Sequence, residues 1–158
     1  MSTRDAQEER FIHFVSCIED LNEAWRILKR IKRRKNNTLN YSAFKFALIA
    51  YSRPYKCSRG KVGHKLGQDH IPPEYTTLHD QVLTARDKSL AHSDLTIKEA
   101  QLYVSQHPWG KETMISQNVV NVAVEYSKIN EIIDLIEQTL KKMYKEEELL
   151  KSDLNTNS

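Results

Sequence analysis

Phe11-Ile12-His13-Phe14-Val15-Ser16-Cys17-Ile18-Glu19-Asp20-Leu21-Asn22-Glu23-Ala24-Trp25-Arg26-Ile27-Leu28 is the stretch on which the fold class turns. Phe11, Phe14, Ile18, Leu21, Trp25 and Leu28 recur at alternating steps of three and four. That is the period of one helix face. The pattern predicts a helix from Arg4 to Lys35 whose long seam must be buried against another element. A matching seam lies near the other end, in Val119, Val122, Tyr126, Ile129, Ile133, Ile136, Leu140 and Met143. It predicts a helix from Gln117 to Leu150. The expected fold is therefore all-α. It is a helical bundle of four to five helices, in which two long antiparallel helices flank shorter ones.

Working inward, Asn36-Asn37 stops the first helix, and Thr38 or Asn40 is placed to cap the next. A short helix is expected from Tyr41 to Ser52, with Phe44, Ala47, Leu48 and Tyr51 on its apolar face. Pro54 ends it, because proline disfavours the helical state of the residue before it. The stretch from Pro54 to Pro73 reads as a long loop, with Gly60, Gly63 and Gly67 in it. Loops of that length are commonly functional or disordered. A third helix begins after Pro72-Pro73. Between Leu95 and Asn118 the reading stays open between a small hairpin near 95–116 and an irregular excursion. Thr96-Ile97 and Leu102-Tyr103-Val104 are strand-like, His107-Pro108-Trp109-Gly110 reads as a turn, and Met114-Ile115 suits a return strand. Trp109 is expected to pack over the bundle edge. Residues 1–151 read as a single helical domain and 152–158 as a disordered tail.

At 158 residues the chain fits one domain with one core. Four glycines and four prolines are few, which favours helices. No apolar run reaches the ~20 residues of a membrane span, and the polar start from Met1 to Arg10 does not read as a signal peptide. Cys17 and Cys57 form neither a disulfide framework nor a metal-spacing pair. The expectation is a cytoplasmic protein with no membrane partner, no metal and no cofactor.

The net charge of +3 is unevenly spread. Between Ala24 and Gln68 there are thirteen lysines and arginines and no acidic residue. The rest of the chain then holds 24 − 13 = 11 basic residues against 21 acidic ones. Such segregation suggests a side that faces a polyanion. Arg33, Arg34, Lys35, Arg53, Lys56, Arg59 and Lys61 are the candidate RNA contacts, and Tyr55 is a candidate for stacking on a base. The plain alternative is a solvated basic helix end, since lysine and arginine favour the C-terminal turn.

The candidate chemistry lies in Thr84-Ala85-Arg86-Asp87-Lys88-Ser89-Leu90-Ala91-His92-Ser93-Asp94. On a helical wheel Leu78, Val82 and Ala85 cluster, and Leu83 and Leu90 widen the arc. Arg86 lands about 80° from Leu78, inside that arc. A guanidinium keeps its charge and is rarely buried without a partner, so it breaks the pattern. Either a dimer interface or a buried ion pair explains it. His92 lies about 120° from Arg86 on a straight helix. The two converge only if the helix frays or a second copy of the chain comes alongside. A structural reading has Arg86 paired with Asp80 or Asp94 and His92 capping the helix. His79, seven residues before Arg86, shares its face and reads as a partly buried polar residue or a cleft-lining one. His64, Asp69 and His70 lack the frame that a zinc site needs.

Arg86, the polar Asp87, four more residues and His92 resemble the Arg-polar-x4-His signature of the HEPN superfamily. Residues 86–94 are especially similar to its bacterial abortive-infection branch. The resemblance implies a small, commonly dimeric helical domain, and a metal-independent ribonuclease of phage-defence or toxin type with a protein antitoxin as a partner. It implies that His92 transfers protons, Arg86 holds the phosphate and Asp87 supports them. In some HEPN toxins a tyrosine stands where this chain has Asp94. The alternative is a non-catalytic helical module that binds nucleic acid or a protein partner through the basic segment.

Overall fold

The structure, a computed structural model, describes residues 3–34, 37–57, 63–87, 101–116 and 126–156. Four α-helices and one hairpin are found among them: α1 (Thr3–Arg33), α2 (Asn40–Ser52), α3 (Thr76–Ala85), β1 (Gln101–His107), β2 (Gly110–Ser116) and α4 (Ile129–Thr156). Short 3-10 turns at Arg53–Tyr55, Pro73–Tyr75 and Tyr126–Lys128 lead out of α2 and into α3 and α4.

Helix α1 packs against both α2 and α4. Its buried stripe is Phe14, Cys17, Ile18, Leu21, Ala24, Leu28 and Ile31. Two small residues, Cys17 and Ala24, widen the seam beyond the expected three-and-four pattern. Trp25 lies at the edge of the seam, with its indole N–H donating to Glu137 Oε1 at 2.7 Å. Asn22 Nδ2 donates to the Tyr144 hydroxyl at 2.8 Å. Partner positions thus descend along α4 as they ascend along α1. Leu21, Leu28, Phe44, Leu48, Tyr51, Val82, Ile132, Leu135, Ile136 and Met143 are fully buried. Each such large apolar side chain contributes roughly 1.5–3 kcal/mol by leaving water.

Local chemistry differs from expectation at several places. Neither Thr38 nor Asn40 caps α2, whose N-cap position is Leu39 with no side-chain cap. Asn40 instead reaches back, its amide donating to the Arg34 carbonyl at 2.6 Å beyond the end of α1. Residues 63–73 are not a loose basic loop. Leu66, His70, Ile71 and Pro72 are buried there, and the Leu66 N–H donates to the Pro54 carbonyl at 2.9 Å. Helix α4 continues to Thr156, so the expected tail from Ser152 is helical through that residue.

The hairpin is antiparallel, with Leu102 opposite Ile115, Tyr103 opposite Met114 and His107 opposite Gly110. Pro108 and Trp109 make the turn, and Gly110 carries a φ of +141° that a side chain would strain. Trp109 does not pack over the bundle edge as the sequence suggests; it is 83% exposed. Leu102, Tyr103, Val104 and Met114 are also exposed, on both faces of the ribbon.

Candidate functional site

Helix α3 buries Leu78, His79, Val82 and Ala85. At Arg86 and Asp87 the turn widens to π-type geometry. The structural reading pairs Arg86 with a carboxylate such as Asp80 or Asp94; among the described residues its partner is its own neighbour, Asp87. Arg86 Nη1 donates to Asp87 Oδ1 at 2.8 Å. Lys56 Nζ donates to the other oxygen, Asp87 Oδ2, at 2.5 Å. Partial burial opposes the charge on Asp87. The hydrogen bonds and positive charges of Lys56 and Arg86 outweigh it and hold the carboxyl below its ordinary range. Two cations on one carboxylate leave a net charge of about +1 at neutral pH. The bond to Asp87 orients the planar guanidinium, which has five donors in all. Such a fork suits phosphate oxygens.

A buried polar pair lies behind this site. The Tyr51 hydroxyl and His79 Nδ1 are hydrogen-bonded at 2.7 Å. The Tyr55 ring stands edge-on to His79, with centroids 4.5 Å apart. Tyr51 stands in the last turn of α2 and Tyr55 closes the 3-10 turn that delivers Lys56, so the pair ties α3 to the same chain end that supplies Lys56. His79 is fully buried and does not line a cleft. Burial lowers its imidazole pKa, against the raising effect of Asp80. Tyr55 is 2% exposed and therefore cannot take the base-stacking role expected of it.

The basic residues divide into ion-paired and exposed ones. Arg53 donates to Glu23 Oε2 at 2.7 Å and to Asp20 Oδ1 at 3.2 Å, and its guanidinium lies over the Phe46 ring. Lys29 pairs with Glu137 at 3.0 Å. Arg26, Arg30, Lys32, Arg33 and Arg34 are exposed along the second half of α1 and just beyond it. Lys35, Arg59, Lys61 and His92 lie outside the described residues, and so does Asp94.

A second cluster brings His64 and His70, weighed above as metal ligands, together with His13, to which the sequence assigns no role. His13 of α1 and His64 stack with centroids 5.2 Å apart. His64 Nε2 lies 3.3 Å from Glu9 Oε1. His70 Nε2 donates to Glu146 Oε2 of α4 at 2.6 Å. Together with Arg10 and Lys65 these histidines line a cavity of ≈ 200 Å³. Burial and the charge of His64 both lower the His13 pKa, against Asp20. Among the described residues no group of three or more His, Cys, Asp or Glu is arranged to hold a metal ion. The cluster joins three separate segments, and no spacing in the sequence announces it. Compared with models of known families, with curated proteins and with solved structures, the chain matches none.

Proposed function

We propose that this chain is a metal-independent endoribonuclease of the bacterial phage-defence or toxin type, working in the cytoplasm as a homodimer. The observation that carries the proposal is the Arg86–Asp87–Lys56 group, a guanidinium oriented by a carboxylate that a second cation also binds. It stands at the start of the motif that ends in His92. In the proposed reaction His92, or its copy in the second subunit, takes the proton from a ribose 2′-hydroxyl. The 2′-oxygen bonds to phosphorus and the bond to the 5′-oxygen breaks. The leaving oxygen takes a proton from the protonated imidazole of the other His92 of the proposed dimer, acting as acid, and the products carry a 2′,3′-cyclic phosphate and a 5′-hydroxyl. Arg86 stabilises the charge that grows on the phosphate oxygens. Asp87 positions Arg86. Exposed Arg33 and Arg34 hold the strand at a distance from the reacting bond. A protein antitoxin is part of the same proposal.

The exposed row Arg26, Arg30, Lys32, Arg33 and Arg34 supports a second reading, a module that binds nucleic acid without cutting it. One experiment separates the two. Single-stranded RNA is incubated with the wild type, His92→Ala and Arg86→Ala in the presence of EDTA. The nuclease reading expects cleavage by the wild type and a loss of about 100-fold or more in His92→Ala, with binding retained. Binding by a folded wild type with no cleavage of several RNAs selects the module reading. Replacing Arg33 and Arg34 by serine should then weaken binding and flatten its salt dependence.

A further inference from the structure

We infer that the hairpin tip is a base-stacking site for single-stranded RNA, with Trp109 as the platform. The inference takes its ligand from the RNA reading above, but it concerns a separate part of the fold. Tryptophan is highly buried on average, yet Trp109 is 83% exposed. Its exposure is built into the turn. Trp109 is the second residue of a two-residue loop between the paired His107 and Gly110, so it projects from the end of the ribbon. The ring is also held flat. His107 and Trp109 stack with centroids 5.1 Å apart and planes only 2° from parallel. His107 Nε2 is in turn 3.5 Å from Glu112 Oε2, which steadies the imidazole. One face of the indole is thus backed by a planar ring and the other is presented to solvent.

A flat aromatic face backed by a second ring fits another planar ring, and an unpaired nucleobase is such a ring. Base–aromatic stacking tolerates any base, because every base has a π-face. The chain's net charge of +3, with Lys111 exposed beside Gly110, favours a polyanion over a neutral planar ligand. A lipid surface is the rival partner, since Leu102, Val104 and Met114 are exposed nearby. The backed ring geometry has no use in a lipid headgroup region, where an indole inserts freely.

The chain holds two tryptophans, which makes the test direct. In the Trp25→Phe variant Trp109 is the sole indole. Emission is followed while oligoadenylate of about ten nucleotides is added, and fluorescence anisotropy of the same labelled strand is recorded in parallel. The expected result is quenching of Trp109 that saturates together with anisotropy, with no quenching by a duplex whose bases are already stacked. Trp109→Ala should weaken binding about 5- to 150-fold, Trp109→Tyr should recover part of it, and Trp109→Leu should not. Saturating anisotropy with unchanged emission, or equal affinity in Trp109→Ala, overturns the inference and leaves the RNA reading standing. Absence of anisotropy change with any strand overturns both. A blue shift with phosphatidylcholine–phosphatidylglycerol vesicles and no quenching by RNA replaces the base with a membrane surface and also overturns it.

Discussion

Asp87→Asn should move RNA binding and RNA cleavage in opposite directions. The substitution keeps the shape of the side chain and one carbonyl oxygen, and removes one negative charge from between Arg86 and Lys56. The Asp87 side chain is 43% exposed, so solvent screens both pairs. Each is then worth about 0.2–1 kcal/mol, and their joint loss should cost about 1 kcal/mol of stability. For a chain of this length that is a fall in Tm of roughly 2–4 °C. The local charge rises from about +1 to about +2. Binding to single-stranded RNA should therefore tighten, and its salt slope should steepen by about 0.7 for one additional phosphate contact. Cleavage should fall, because the guanidinium loses the partner that orients it. A misplacement of about 1 Å is enough for a 100-fold loss. The assay pairs anisotropy over a salt series with cleavage of the same labelled strand in EDTA. Cleavage that survives unchanged while binding tightens would refute the positioning role of Asp87. A drop in Tm beyond about 10 °C would instead make the group a structural clamp.

Two further predictions concern the pair behind the site. Tyr51→Phe strips the hydroxyl from His79 Nδ1 and leaves a buried polar atom without its bond, at a cost of about 1–3 kcal/mol. Adding His79→Leu should recover part of that loss, since it removes the imidazole whose nitrogens would be left unsatisfied; urea unfolding of the wild type, the two single variants and the double variant measures the coupling, and strictly additive losses would show that the bond carries no net energy. The second prediction follows from proton linkage. Burial lowers the pKa of His79 and, helped by His64, that of His13. The unfolded chain binds the extra protons, so stability is full above about pH 6.5 and is lost as pH falls below it. Urea midpoints between pH 5 and pH 8 should show this decline, and His79→Leu should flatten part of it. A midpoint that holds steady down to pH 5 would rule the linkage out.

The parts of this molecule that could be read from the sequence are those whose physics is local. Seams of period three and four demanded buried helices, and α1, α2 and α3 fall where those seams lie, as does α4 from Ile129 on; Tyr126 stands in the 3-10 turn before it, and Val119 and Val122 lie outside the described residues. Pro108-Trp109-Gly110 between strand-like runs marked a turn, and the hairpin closes there. What could not be read depends on pairing between distant segments. Leu66 and Ile71 are single apolar residues without a period, yet their burial turns an expected loose loop into packed structure. Neighbours on an α-helix do not face each other, and the widened turn at Arg86 and Asp87 is what lets Asp87 bind Arg86. Lys56 lies 31 residues before Asp87, and only the docking of α3 against the end of α2 brings them together. The same holds for His13, His64 and His70, which meet because α1, the 63–73 segment and α4 converge. A basic count that looked like one continuous face also divides by this rule. Arg53 and Lys29 are drawn to carboxylates that the fold places beside them, whereas Arg33, the last residue of α1, and Arg34 just beyond it are exposed. Charge that is free to meet a polyanion is therefore set by tertiary pairing and cannot be counted along the chain.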